Sequence, residues 1–204
     1  IYCPKCCYVK NVHQFDIEQV FNNYLYRTPK TDQDQETIEF LKQKIVHLRI
    51  KNIIEIGGNN GVFAEKLLKQ VPAIEALEIW DRVSLVTKNH RITHKDQYLS
   101  EDSVSENEID LVIVRHAFAH NPSISLFAKN IVKIINPKYL YIECADWDKT
   151  LKNSDFSQLY TEHYYCLSPK SVSRLFEKHE FYENSRVDIP IHNGSFGILL
   201  SRNK

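Results

Sequence analysis

Methionine is absent from the 204 residues, glycine occurs only five times, and neither sign of charge is in excess, with 26 Lys and Arg against 26 Asp and Glu. The balance excludes a global field that would steer the chain to a polyanion, so any nucleic-acid site must be local. Long hydrophobic runs are missing too. The longest, residues 111–114 and 198–200, are of strand length, far short of the ~20 residues that cross a bilayer, and no leader pattern opens the chain. The expectation is a soluble, cytoplasmic protein with no membrane partner. A composition of 43% apolar and 25% charged residues excludes disorder and fibrous structure, and the length suffices for one sizeable core. Cys3, Cys6 and Cys7 cluster while Cys144 and Cys166 stand alone, the usage of a reducing compartment rather than a disulfide framework. Because the first residue is Ile1, a piece of a longer translation product is expected.

In a glycine-poor chain the glycines mark places where backbone geometry excludes a Cβ. Gly57, Gly58 and Gly61 follow a β-branched run, residues 52–56, and precede residues 62–69, whose apolar positions Val62, Phe63, Leu67 and Leu68 share one helical face. Strand, glycine turn and helix open a doubly wound fold. Further strands are expected at 73–79, 90–93, 109–114 and 139–143, and helices at 123–135 and 170–179. Residues 185–191 and 196–201, joined by His192-Asn-Gly-Ser195, read as a closing hairpin. This order predicts an α/β, Rossmann-like class I methyltransferase architecture: a seven-stranded mixed sheet with an antiparallel last strand. Two helices at 17–26 and 35–48, split by Thr28-Pro29, form a helical N-terminal cover over the sheet's carboxyl edge. The expected division is an N-terminal appendage, 1–48, and a methyltransferase domain, 49–204.

Glu55-Ile-Gly-Gly-Asn-Asn-Gly61 has the form acid-x-Gly-x-x-x-Gly, which differs in spacing and in its leading acid from the dinucleotide fingerprint. A pyrophosphate needs bare amides at a helix N-terminus; S-adenosylmethionine carries a sulfonium and an ammonium instead, and a carboxylate beside the turn suits both. The expected cofactor set is Glu55, Gly57, Gly58, Asn59, Gly61 and His116, with Glu78 on the ribose hydroxyls, Ile79 and Trp80 against the adenine, and Asp96 on its amino group.

Three downstream segments extend the reading. Asp155-Phe-Ser-Gln-Leu-Tyr160-Thr-Glu162-His163, residues 171–181, and Ile189-Pro-Ile-His192-Asn-Gly194-Ser195 resemble in order and spacing the sugar C-methyltransferases of deoxysugar pathways. Those carry Asp-Phe-x-x-Ile-Tyr-x-Glu-His and His-Gly-Gly-Ser stretches. The glycine motif is similar to that family's Glu-Ile-Gly-Ser-Asn-Asp-Gly, and Arg115-His-Ala-Phe-Ala-His120 to its Asn-Val-Leu-x-His. Cys3-Pro-Lys-Cys6 and Val20-Phe-Asn-Asn-Tyr24-Leu-Tyr26 look like the end of its zinc module and the segment after it. The resemblance implies a nucleotide-linked keto-deoxysugar as acceptor and His163 as the base that removes a proton beside the ketone. It implies Tyr160 as a donor to the enolate oxygen, Glu162 as the residue orienting the imidazole, and His120 and Tyr26 in the same pocket. It also implies zinc at Cys3 and Cys6, with Cys7 and His13 as further candidate ligands. The departures are a single Cys-x-x-Cys pair where the family has two, a chain that stops before the family's C-terminal domain, and Gly197 where the family has arginine.

The alternative is a viral RNA cap guanine-N7 methyltransferase released from a polyprotein. Guanine N7 is already nucleophilic and needs only proximity. Capped RNA would call on Lys88, His90, Arg91, His94 and Lys95 as a basic patch and on Tyr160, Tyr164 and Tyr165 as stacking rings.

Overall fold

The computed structural model describes residues 1–12, 26–29, 31–105, 107–155, 159 and 162–202. Residues 17–25 of the expected helix, with His13, Tyr24 and Tyr160, lie outside the described residues. In chain order the elements begin with β1 (Tyr2–Cys3), β2 (Tyr8–Lys10), α1 (Gln35–Leu48), β3 (Asn52–Ile56) and α2 (Val62–Gln70). Next come β4 (Ala76–Trp80), β5 (Ile92–Lys95), β6 (Leu111–Arg115), α3 (Ile124–Asn130) and β7 (Tyr139–Ala145). The chain continues with α4 (Trp147–Asn153), β8 (Tyr165–Cys166), α5 (Pro169–Glu177), β9 (Tyr182–Ile189) and β10 (Ser195–Ser201).

Seven strands form the central sheet in the order β5-β4-β3-β6-β7-β10-β9. The run from β5 to β7 is parallel, and β10 is antiparallel to β7 on one side and to β9 on the other. The expected seven-stranded mixed sheet with a reversed last strand is therefore the architecture observed. Leu111, Val112, Ile113 and Val114 of β6 are all fully buried, as a parallel strand covered on both faces must be. On one face Ile38, Leu41 and Ile45 of α1 and Phe63, Leu67 and Leu68 of α2 pack on Ile53, Ile113 and Leu199. On the other, Phe127 and Ile131 after β6 and Val172 and Phe176 of α5 pack on Val112, Ile142 and Ile198.

Local chemistry sets the element ends. Ser168 and Ser171 form a reciprocal capping box with Pro169 in the first turn of α5, and the Ser123 side chain accepts from the Leu126 amide to start α3. The helix expected through Ile135 changes at residue 131 into one π turn, Ile131–Ile135, closed by Asn136 in the left-handed region. Strand β4 starts three residues later than expected, because Pro72 lies in a turn in which the Ile74 amide bonds the Val71 carbonyl. Strand β5 is displaced by two residues, to 92–95, through its parallel register with β4. In the closing hairpin His192, Asn193 and Gly194 have φ of 52°, 53° and 123°, the left-handed geometry expected of Asn-Gly. A separate small sheet, β1-β2-β8, joins the N-terminus to the segment before α5. Among the described residues no helix is long and apolar enough to cross a membrane.

At the amino edge Asp110 ties three strands together. Its Oδ2 accepts from the amides of Lys51 (2.8 Å) and Asn52 (3.0 Å), and its Oδ1 accepts from Lys138 Nζ (2.8 Å). Partial burial works to raise its pKa, but these donors together hold it below the usual carboxylate range. A lowered carboxyl pKa contributes stability above the ordinary carboxylate range and loses it as pH falls through the folded-state value. Asp110→Ala is expected to cost about 1–3 kcal/mol at pH 7 and less at pH 3, read from urea unfolding at both pH values. Equal stability of the two proteins at pH 7 would remove this tie from the account.

Candidate functional site

A cavity of about 520 Å³ opens at the carboxyl edge of the parallel strands, where ligands of open α/β sheets bind. One wall is the glycine turn after β3. Gly57 has φ of 73°, and a Cβ there would lie 2.6 Å from that of Ala117, so the turn and the loop after β6 are in direct contact. Gly58 has no room for a Cβ either, with Ile79 Cγ2 at 2.9 Å and the Glu55 carboxyl at 3.0 Å from its position. Glu55 lines the cavity, yet its buried Oε2 has no hydrogen-bond partner. Burial pushes the Glu55 pKa up to about 7 against the pull of Arg115. An orphaned carboxylate oxygen under a Cβ-free turn is a fit for a bound cation, and phosphate would be repelled there.

Asn59 holds the turn and the segment above it. Its amide donates to Asp81 Oδ2 (2.9 Å), its Oδ1 accepts from the Thr28 amide (3.0 Å), and its Nδ2 donates to the Tyr26 carbonyl (3.2 Å). Asn60 Nδ2 donates to the Thr28 carbonyl (3.1 Å). Residues 26–29 are thereby strapped along the cavity rim, which places Tyr26 at the cavity as expected.

The floor is a buried ionic group. Glu143, with no exposed surface, accepts from Thr37 Oγ1 (2.6 Å), Tyr141 OH (2.9 Å), Arg115 Nε (3.1 Å) and His116 Nε2 (2.8 Å). Burial alone would raise its pKa, but the Arg115 charge and the His116 bond outweigh that and hold it far below the carboxylate range. Arg115 also pairs with Asp34 at 2.7 Å and lies 3.8 Å over the Phe63 ring. Lys66 meets the other Asp34 oxygen at 2.9 Å.

Four imidazoles line the cavity, those of His116, His120, His163 and His192. They form two edge-to-face pairs, His116 with His192 and His120 with His163, each with ring centroids 4.8 Å apart. His120 Nδ1 lies 3.0 Å from the Glu162 backbone carbonyl, and burial lowers its pKa. Burial, reinforced by His116, also lowers that of His192, to about 4. Of the expected catalytic set the structure therefore gathers His163, Glu162, His120 and Tyr26 on one cavity.

The expected cofactor set divides. Glu55, Gly57, Gly58, Asn59 and His116 line the cavity, and Gly61 closes the turn at φ of 79°. Glu78, Ile79, Trp80 and Asp96 are not among the lining residues. Because β4 ends at Trp80 rather than at Ile79, Glu78 sits inside the strand and spends its carboxylate on the Trp80 indole, Ser105 and Asn107. Trp80 and Ile79 are fully buried in the core, and Asp96 is exposed. The acid at the strand's carboxyl end that reaches the cavity is Asp81, and Tyr98 and Leu99 replace Ile79 and Trp80 as the apolar neighbours. Tyr98 is backed by the Arg82 guanidinium 4.8 Å from its ring centroid. The readable signal for Asp81 was its place just past the apolar alternation of β4. Asp34 and Glu143 carried no such signal.

The basic run lies elsewhere. Arg91 donates to the carbonyls of Leu68 in α2 and Ile74 beyond it, His94 Nε2 lies 2.7 Å from the Asp81 carbonyl, and none of the five residues lines the cavity. At the N-terminus the Cys6 amide donates to Cys3 Sγ (3.3 Å), while Cys7 Sγ lies 2.9 Å from Arg174 Nη1. Among the described residues no group of three or more His, Cys, Asp or Glu side chains is placed to hold a metal ion, so the two cysteines lack the remainder of a zinc site there.

Comparison with known proteins agrees with this geometry. Residues 24–183 match the family model described as a methyltransferase domain. The C-methyltransferase NovU of Streptomyces niveus is 22% identical over 213 residues, which cover 98% of this chain and 50% of NovU. The chain thus spans about half the length of that curated relative. Among solved structures, magnesium protoporphyrin IX methyltransferase from Synechocystis PCC 6803, with S-adenosylhomocysteine bound, superposes with a TM-score of 0.64 at 12% identity, covering 84% of each chain. A 1,6-didemethyltoxoflavin N1-methyltransferase of Burkholderia thailandensis gives 0.62 at 11% identity, over 84% of this chain and 80% of that one. With the family model covering most of its length and solved methyltransferases superposing on most of its residues, the chain belongs to the methyltransferase-domain family and has the class I S-adenosylmethionine-dependent methyltransferase fold.

Proposed function

We propose that this protein transfers a methyl group from S-adenosylmethionine to a carbon beside the ketone of a nucleotide-linked deoxysugar. The observation that carries the reading is a single cavity joining the orphaned Glu55 carboxylate under the glycine turn to the imidazoles of His120 and His163. The resemblance of the surrounding motifs to sugar C-methyltransferases, and a C-methyltransferase aligned over nearly the whole chain, support the acceptor class. When bound, the cofactor supplies an electrophilic methyl on a sulfonium. Glu55 offers a carboxylate to its cations, Asp81 an acceptor for ribose hydroxyls, and Tyr98 with Leu99 an apolar wall for the adenine. A carbon acid must lose its proton before it can attack, and an imidazole suits that task near neutral pH. The motif resemblance points to His163, with Glu162, His120 and Tyr26 around the sugar.

The test is transfer of radiolabelled methyl to a nucleotide-linked 4-keto-6-deoxysugar beside a GpppA-capped RNA. Label on a sugar carbon is expected, and label on the cap guanine would replace this reading. Asp81→Asn is expected to weaken S-adenosylhomocysteine binding at least tenfold and Glu78→Gln to leave it within twofold; calorimetry showing the reverse would return the ribose contact to Glu78. Glu55 titrates near 7 while a cation prefers its ionised form. S-adenosylmethionine binding should therefore tighten as pH rises from 6 to 8 and release protons, and Glu55→Gln should flatten that slope. In the free protein the sign is opposite: a raised carboxyl pKa stabilises the fold below the ordinary range and loses that contribution as pH rises through 7. His163→Ala should lower turnover at least tenfold with cofactor affinity unchanged; full activity would remove His163 from the acceptor site.

A further inference from the structure

We infer that His116, held by Glu143, is the group that takes the acceptor's proton during methyl transfer. The inference rests on the reading that the acceptor is a carbon acid, and it moves proton removal from His163, which the motif resemblance selects, to His116. His163 and His120 are left to hold the sugar.

Four observations converge on His116. Glu143 is the buried carboxylate that touches a cavity imidazole, at 2.8 Å from His116 Nε2. Its other donors are Thr37, Tyr141 and Arg115, so it is an ionised acceptor and Nε2 must carry the hydrogen. That fixes the tautomer and leaves Nδ1 as the ring nitrogen able to accept a proton, the arrangement in which a carboxylate orients a histidine base. The backbone of His116 has φ of 49°, a left-handed conformation uncommon outside glycine and asparagine, and its amide is bonded to the Glu143 carbonyl at 2.8 Å. Such strain persists where surrounding structure enforces it, and it clusters at active sites. The next residue, Ala117, fills the space that Gly57 leaves by lacking a Cβ, so His116 stands at the join between the cofactor turn and the imidazole end of the cavity. Its side chain is 29% exposed, against none for Glu143.

The charged and titratable groups that face His116 are Glu143 on β7, Arg115 on β6, His120 on its own loop and His192 from the β9–β10 turn, with Asp34 behind Arg115. His192, edge-on to the ring and shifted down to about 4, is neutral at working pH and adds no positive charge beside His116. In the transfer, the electron pair of the acceptor's C–H bond becomes the new bond to the methyl carbon. The S–CH3 pair returns to sulfur as a neutral thioether, and the proton ends on Nδ1 with the imidazolium charge facing Glu143.

Two measurements test the assignment. Long-range ¹H–¹⁵N correlation spectra of the protein saturated with S-adenosylhomocysteine, with His116→Gln identifying the signals, should show His116 as a single Nε2–H tautomer in the wild type and as a mixture in Glu143→Gln. An Nδ1–H tautomer in the wild type overturns the proposal. With the 4-keto-6-deoxysugar as acceptor, His116→Gln should lose at least a hundredfold in kcat together with the acidic limb of the pH profile, while its far-ultraviolet circular dichroism stays that of the wild type. His163→Gln should raise KM and keep the limb. A retained acidic limb in His116→Gln, or its loss in His163→Gln alone, returns the base to His163. If the wild type does not methylate the sugar, the acceptor reading fails, and the tautomer spectra then decide the dyad by themselves.

Discussion

A carboxylate with no exposed surface cannot stay ionised unless donors surround it, and much of the carboxyl edge is arranged to meet that requirement at Glu143. Removing an ion from water costs several kcal/mol even after relaxation, so each of its lone-pair directions must be filled. Thr37 brings α1 to the end of β7, Tyr141 supplies a hydroxyl from the same strand, Arg115 comes from β6, and His116 from the loop beyond. The guanidinium that answers Glu143 is itself buried and needs a second anion, which Asp34 provides from the turn before α1. Asp34 in turn draws Lys66 of α2. One buried charge thus locks two helices and two strands around a single point, and it explains a glycine within a strand: at Gly197, opposite Glu143 in the register of β10 and β7, a Cβ would collide with the Tyr141 hydroxyl.

Glu55 presents the opposite case, because it is a buried acid left one partner short. Its Oε2 has no donor, and its pKa rises accordingly. The two carboxylates lie on β3 and β7, on either side of β6 in the same parallel array, at the edge where strand ends converge. One is saturated by the protein and acts as framework, and the other is held in reserve for a ligand. That contrast separates structural from receptive chemistry within a single cavity.

How much of this the sequence disclosed follows from the range of each interaction. The glycine turn, the strand order and the reversed last strand are written in local signals: β-branched runs, Asn-Gly, Pro and Ser at helix starts. Motif spacing brought His120, Glu162, His163 and Tyr26 together. The turn at Pro72 delays β4, and a shift at the strand's end exchanges which acid faces the cavity, so Asp81 stands where Glu78 was expected. The Asp34–Arg115 and Thr37–Glu143 contacts join residues 81 and 106 positions apart; no local pattern encodes such pairs, and the pairing of His116 with His192 across the hairpin is equally invisible before the sheet is assembled.

The strap at residues 26–29 is fastened through backbone atoms of Tyr26 and Thr28, gripped by the side chains of Asn59 and Asn60. The grip is therefore indifferent to which side chains the strap carries. Its residues can be exchanged to reshape the mouth of the cavity while the fastening survives, so descent with altered acceptor preference has an inexpensive route here: new side chains on an old clasp.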